Sequence, residues 1–222
     1  MNRACKLTGW FIKKRKTYVG VMKIHKPIEE SKLKQEMKKF VGKIMQLPPV
    51  KSRVKREERE REVYSWEILE LDKEKNQVLF SCEVEAGTYI RKLISDLGEK
   101  IGGSHMLELR RVKAGIFSEE DKSFIDLYEL EKIKDNEEEL SRIIIPADEA
   151  IKKILPVIIV KKEAEKTLLT GKPIYSSDLE DKKELEKIKE NSDFAVFSDK
   201  FIGIYKKVNE GDILARTLWV KN

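Results

Sequence analysis

The segment that most limits what this chain can fold into is Val78 to Gly103, where the hydrophobic period changes from about 2 to about 3.6 within a few residues. Val78, Phe80, Cys82 and Val84 alternate with polar neighbours, the pattern of a half-buried strand in which Cys82 is a small core residue. Ile90, Leu93, Ile94 and Leu97 then fall at i, i+3, i+4 and i+7, one face of an amphipathic helix. Gly87 lets the chain turn sharply between the two, and Thr88 is placed to cap the helix. Val63–Leu71 reads as the partner strand, joined through a turn at Asp72–Gln77. One face of that helix is expected to pack on the sheet, and the expected fold class is α+β. Gly98, Gly102 and Gly103 are expected to break the helix ahead of Ser104–Arg111.

The same turn carries the first candidate chemistry. Tyr89 and Arg91 fall in the first turn of the helix, where the macrodipole opposes a cation, so a nearby carboxylate is one reason for an arginine there. An ordinary surface arginine is the other.

Upstream, Thr17–His25 alternates as a half-buried strand and Pro27 ends it. Glu29–Ile44 places Leu33, Met37, Phe40, Val41 and Ile44 at three- and four-residue steps, which predicts a helix. Pro48 and Pro49 prevent its continuation, so Gln46–Lys55 is expected to be an ordered loop or short edge strand. The mixed charge run Lys51–Glu62 reads as a solvated face, with RNA contact as the alternative.

Charge is distributed unevenly. Residues 1–60 hold 18 Lys and Arg against 6 acidic residues, whereas residues 61–222 hold 28 against 34. A basic front suits a polyanion, because neutralised phosphates release counterions; a lysine-rich solvated surface is the alternative. With 222 residues and 40% hydrophobic content, the chain is long enough for one full core and a second small one. The longest apolar run, Ile154–Val160, is far below the roughly 20 residues of a membrane span, and the N-terminus lacks a secretory h-region. Two cysteines, Cys5 and Cys82, do not make a disulfide framework, so a cytoplasmic location is expected. His105 has no second histidine or acidic cluster at ligand spacing, His25 reads as a surface or core polar residue, and no phosphate-cradling glycine loop or Ser-His-Asp arrangement is present. Neither a metal nor a nucleotide cofactor is expected.

Four ordered blocks carry a family resemblance: KTYVGVMKIHKP at Lys16–Pro27, QLPPVKSRVKR at Gln46–Arg56, EAGTYIRKL at Glu85–Leu93 and GGSHMLELRRVKAGIF at Gly102–Phe117. In order and spacing they resemble the TruB and dyskerin group of pseudouridine synthases, in particular its archaeal, guide-RNA-dependent branch, a resemblance that covers about two thirds of the chain. The resemblance implies that Tyr18 stacks on the target uracil and takes part in the chemistry, that Arg91 pairs with the catalytic aspartate, that Tyr89 lines the pocket, and that Leu109 packs against the flipped base. Stacking and apolar contact of this kind offset the cost of extruding a base, about a few kcal/mol. The family's aspartate lies in a GTLDP-like motif upstream of the KTY block; no such motif occurs here, and neither Asp72 in its charged turn nor Asp96 on the helix replaces it. The GGSHM loop is one residue shorter than the family's usual pattern.

From Val157 the pattern changes to short strands, PVIIV, TGKPI, FAVFS, KFIGIYKKV and GDILARTLWV, with a helix around Lys162–Leu169, which predicts a small β-barrel. Its phrases resemble a PUA domain, an RNA-binding module, with Glu180–Ser192 as an expanded charged loop. The expected organisation is therefore the C-terminal half of a pseudouridine synthase catalytic domain, with mixed β-sheet and flanking helices, over residues 1–150, and a PUA-like domain over residues 156–222. The implied activity is cofactor-free isomerisation of uridine to pseudouridine in tRNA or rRNA. A separate N-terminal polypeptide would supply the aspartate and dock on a strand edge and apolar face at residues 1–25. RNA, a guide RNA and small accessory proteins are the other expected partners, and a non-catalytic RNA-binding scaffold is the competing reading.

Overall fold

A computed structural model describes residues 3–49 and 55–221, so residues 51–54 of the charged run and Val50 of the proline segment lie outside the described residues. The chain divides into two compact units, Thr8–Phe124 and Ile125–Asn222 together with Met1–Leu7.

The first unit begins with a short helix, α1 (Thr8–Ile12), and strand β1 (Lys16–Ile24). Helix α2 covers only Glu30–Lys38 and buries Leu33 and Met37, as the periodicity implies. It does not reach Ile44. Gly42 adopts φ +107°, and Gly42–Gln46 forms the edge strand β2, from which Ile44 still packs on the core. The helical period therefore runs on through a segment that meets the same core as a strand. Strand β3 (Arg59–Asp72) starts inside the charged run, and a turn leads to β4 (Gln77–Val84). Helix α3 (Ile90–Ile101), β5 (Ser104–Ala114) and β6 (Phe117–Ser118) complete the unit.

The strand order is β2-β3-β4-β1-β5-β6, and every named pair in this sheet is antiparallel. α3 carries the chain from β4 to β5, which run in the same direction with antiparallel β1 inserted between them. β1 is also hydrogen-bonded on both sides, so among the described residues it does not offer the exposed strand edge expected within residues 1–25. The buried faces of α2 and α3, including Leu33, Met37, Ile90, Leu93 and Leu97, join Met22, Val63, Phe80 and Cys82 in one core.

Gly98 does not break α3. It lies within the helix, where a Cβ would stand 2.5 Å from the Ser104 backbone nitrogen, so its lack of a side chain lets β5 pass close. The helix ends at Gly102, a left-handed cap with φ +89° whose N–H donates to the Gly98 carbonyl.

In the second unit, capped helices α4 (Leu127–Ile133) and α5 (Glu137–Ile143) bury no side chain, whereas α6 (Ala147–Lys152) buries Ala150 and Ile151. Strands β7 (Val157–Ile159), β8 (Ile174–Tyr175), β9 (Asp193–Phe197), β10 (Phe201–Glu210) and β11 (Ile213–Val220) form a sheet in the order β7-β9-β10-β11-β8, with β7 parallel to β9. Val160 bridges Leu179, and the Lys161 N–H donates to the Asp178 carbonyl at 2.8 Å, so the continuations of β7 and β8 meet and curl the sheet toward closure. Helix α7 (Glu165–Leu169) packs Leu168 inside, where its carbonyl accepts the fully buried Tyr205 hydroxyl at 2.8 Å.

Glu180–Ser192 is not a plain loop. It contains α8 (Lys182–Glu186), capped by Asp181, and it buries Leu185 and Ile188. The Lys207 ammonium donates to the carbonyls of Leu185 at 3.0 Å and Ile188 at 2.6 Å, placing a cation at the helix C-terminal end, where the dipole favours it. Among the described residues no helix is long and apolar enough to cross a membrane.

Candidate active site

The site is built where β4 turns into α3. The Glu85 N–H donates to the Glu62 carbonyl at 2.8 Å, and the Glu85 carboxylate accepts the Glu62 N–H at 3.2 Å, so the turn stays fastened to β3 after the strand pairing ends. Thr88 was expected to cap α3. Its hydroxyl instead donates back to the Glu85 carbonyl at 2.9 Å, and the cap position is taken by Tyr89, which makes no side-chain cap bond. Gly87 sits at φ +87°, which favours glycine at this turn, and the Arg61 guanidinium lies 3.3 Å from where a Cβ would be.

Gln46, at the end of β2, was not singled out by the sequence reading. It is 2% exposed; its side-chain oxygen accepts the Tyr89 N–H at 3.0 Å and its side-chain nitrogen donates to the Tyr89 carbonyl at 3.3 Å. Arg91 follows as the second residue of α3, exposed, with no hydrogen-bond or ion-pair partner among the described residues.

Tyr18 lies on β1 opposite Cys82 of β4 and Arg111 of β5, partly buried against the core. Leu109 lies on β5 opposite Gly20, two residues along β1 from Tyr18, and is also packed against the core. Paired and alternate residues share a sheet face, so Tyr18 and Leu109 belong to the face that α3 covers. The Tyr18–Cys82 pair is near the end of β4 from which the turn to Tyr89 and Arg91 departs. The four candidates therefore come from a central strand, its neighbour, and the helix start at one end of the sheet.

Cations gather at that end. Lys16 pairs with Ala114, Thr17 with Lys113 and Tyr18 with Arg111 across the β1–β5 ladder, and Arg110, Arg111 and Lys113 are exposed. Burial lowers the pKa of Lys16, and the positive charge of Arg111 lowers it further. The Arg15 guanidinium lies 3.6 Å from the centre of the Tyr64 ring and 3.6 Å from the Glu83 carboxylate. The two aspartates considered from sequence are both engaged with lysines of their own segments, Asp96 with Lys92 on α3 and Asp72 with Lys75 in the β3–β4 turn. An aromatic and aliphatic floor beside a basic rim can hold an uncharged base while its phosphates stay with the cations.

One pairing was invisible in the sequence. His25 Nε2 and His105 Nδ1 are 2.7 Å apart although the residues are 80 positions apart, because the ends of β1 and β5 meet there. Among the described residues no group of three or more His, Cys, Asp and Glu side chains is placed to hold a metal ion. A groove of about 550 Å³ lined by Phe40, Ile44, Met45, Asp96 and Lys100 contains none of the four candidates.

Comparison with known proteins follows the same segments. Residues 91–152 match the tRNA pseudouridylate synthase B C-terminal domain, and residues 6–101 match the family described as Pus10, C-terminal. The chain is 40% identical over 150 residues to the "Probable tRNA pseudouridine synthase B" of Nanoarchaeum equitans, covering 65% of this chain and 42% of that protein. It is 38% identical over 180 residues to the protein of the same description from Methanocaldococcus jannaschii, covering 79% and 53% respectively. The chain thus spans about half the length of the curated relatives it matches. Among solved structures, a chain in a crystal structure of a Cbf5-Nop10-Gar1 complex superposes with TM-score 0.79 at 32% identity, covering 97% of this chain and 69% of that one. A chain in a structure of an H/ACA RNP bound to a substrate RNA containing 2'-deoxyuridine gives TM-score 0.77 at 29% identity, covering 97% and 68%.

Proposed function

Because this chain belongs to the TruB and dyskerin family of pseudouridine synthases, we propose that it is the C-terminal part of an RNA pseudouridine synthase, acting on tRNA or rRNA under a guide RNA. Residues 1–150 are then the C-terminal half of the catalytic domain and residues 156–222 a PUA-like RNA-binding domain. The reaction breaks the uracil N1–C1' bond, forms a C5–C1' bond, and exchanges the C5 proton for one on N1. It is redox-neutral and atom-balanced, and the reading includes no metal or organic cofactor.

In this reading Tyr18 stacks on the target uracil and takes part in the chemistry, Leu109 packs against the extruded base and Tyr89 lines the pocket. Arg91 pairs with the nucleophilic aspartate, which in this reading belongs to the N-terminal half of the catalytic domain. The observation that carries the reading is Arg91, an exposed cation in the first turn of α3 with no partner among the described residues. A carboxylate brought to that point would gain a charge-assisted bond that the helix dipole alone denies to the arginine. The protein names in the matched complexes support small accessory proteins and RNA as further partners, and the cytoplasm is the proposed compartment.

The test is tritium release from RNA labelled at uridine C5, with the chain alone and with a polypeptide carrying the aspartate segment. Release only after complementation, falling by at least about 100-fold in Arg91→Ala, is the expected result. Activity of the chain alone would remove the need for the missing carboxylate, and silence in both arms would favour an RNA-binding scaffold.

A further inference from the structure

Gln46 concentrates both ends of its amide on one residue. An apolar side chain of similar length would fill the same buried space without needing any hydrogen bond, so burying this amide is favourable only because both ends are satisfied. What they satisfy is the backbone of Tyr89, which is extended at φ −91° and ψ 99°. Its N–H and C=O are the groups that a neighbouring strand would otherwise pair. The same Tyr89 carbonyl starts α3 by accepting the Leu93 N–H at 3.0 Å. Gln46 itself is fixed at the end of β2, where Leu47, the buried Pro48 and Pro49 set the path by which the chain leaves the strand.

We infer that Gln46 is a positioning residue: its amide replaces a strand partner for Tyr89, sets the direction in which α3 leaves the turn, and thereby aims Tyr89 and Arg91. The link crosses 43 positions of sequence and joins an edge strand to the start of the helix that bears the arginine. The inference rests on the roles proposed above for Tyr89 and Arg91.

Two variants of the full chain test it, Gln46→Ala and Gln46→Glu. A neutral carboxylic acid offers the same donor and acceptor pair as the glutamine amide, whereas a carboxylate only accepts. Hydrogen exchange at the Tyr89 amide, expressed as a protection factor and referred to the Leu97 amide within α3, reads the clamp directly. Protection at Tyr89 should fall at least about tenfold in Gln46→Ala with Leu97 unchanged. In Gln46→Glu protection at Tyr89 should be kept at pH 8, because the carboxylate still accepts the Tyr89 N–H where alanine cannot. In the complex with the aspartate-bearing polypeptide, Gln46→Ala should lower kcat by about 10- to 100-fold with KM little changed.

Unchanged Tyr89 protection in Gln46→Ala, or protection lost as fully in Gln46→Glu as in Gln46→Ala, would overturn the clamp. Lost protection with full kcat would overturn the positioning role. A wild-type complex that does not turn over counts against the functional reading instead, and exchange alone then decides whether the clamp exists. If Gln46→Ala fails to fold, Gln46→Met, which keeps the side-chain length and removes both hydrogen bonds, decides by the same expected loss of protection at Tyr89.

Discussion

Cys82 is fully buried between apolar neighbours of the first core, and burial pushes its thiol from 9.0 up to about 12. Ionised sulfur is the nucleophile, so Cys82 should be inert in the folded chain, whereas Cys5 is exposed. A maleimide at pH 8 should therefore modify one thiol promptly and the second only in denaturant; prompt labelling of both would mean that the β4 core opens readily. The sign of the pH effect follows from the direction of the shift. The folded state resists ionisation that the unfolded state accepts, so the stabilising contribution is intact below about pH 9 and is lost as pH rises from there toward 12. Cys82→Ala should cost about 1 kcal/mol near neutrality, and that deficit should narrow at pH 10 when denaturant midpoints are compared. Cys82 was legible as a core residue because strand alternation is local. Gln46 was not, since a buried glutamine and a solvated one look the same in sequence and its partner is 43 positions away.

At the scale of elements, α3 and the close passage of β5 belong together. The Ser104 hydroxyl donates to the Ile94 carbonyl at 2.7 Å, and the Gly103 N–H donates to the Gly98 carbonyl at 2.7 Å, so the strand is tied to the last turns of the helix. Replacing a helix-interior glycine by alanine ordinarily stabilises by about 0.5–1 kcal/mol. At Gly98 the sign should reverse, because the added Cβ meets the Ser104 backbone at 2.5 Å and backbone cannot rotate away. Gly98→Ala should destabilise the first unit by about 1–3 kcal/mol, read as a lower unfolding midpoint; a raised midpoint would show slack between α3 and β5. The sequence presented Gly98 as a helix breaker because its contact with Ser104 is tertiary. The same reason explains α2: the apolar period from Leu33 to Ile44 is real, but only the positive φ at Gly42 converts its second half into β2. The face of α3, the β3–β4 pair and the short strands of the second unit were readable because their signals are local. The central place of β1 was not, because strand order is set by long-range pairing.

At the scale of the whole molecule, the charge asymmetry gains its meaning from where cations fall. The first 60 residues carry 18 Lys and Arg against 6 acidic residues, and β5 adds exposed Arg110, Arg111 and Lys113 alongside the β1 end that bears Tyr18. Arg110 is held by Glu119 at 2.8 Å and is therefore less available than its neighbours. If Arg111 and Lys113 touch phosphates, each should contribute to affinity independently of base sequence and to its salt dependence. RNA affinity measured across potassium chloride concentrations should give a linear log-log plot, with Arg111→Ala and Lys113→Ala each reducing the slope by about 1. Tyr18→Phe should leave that slope unchanged, because stacking releases no counterions. Equal slopes for all variants would place the phosphates elsewhere on the chain. A slope reduced by Arg111→Ala but not by Arg110→Ala would show that the ion pair with Glu119 already occupies one cation of the strand, leaving its neighbour to meet the RNA.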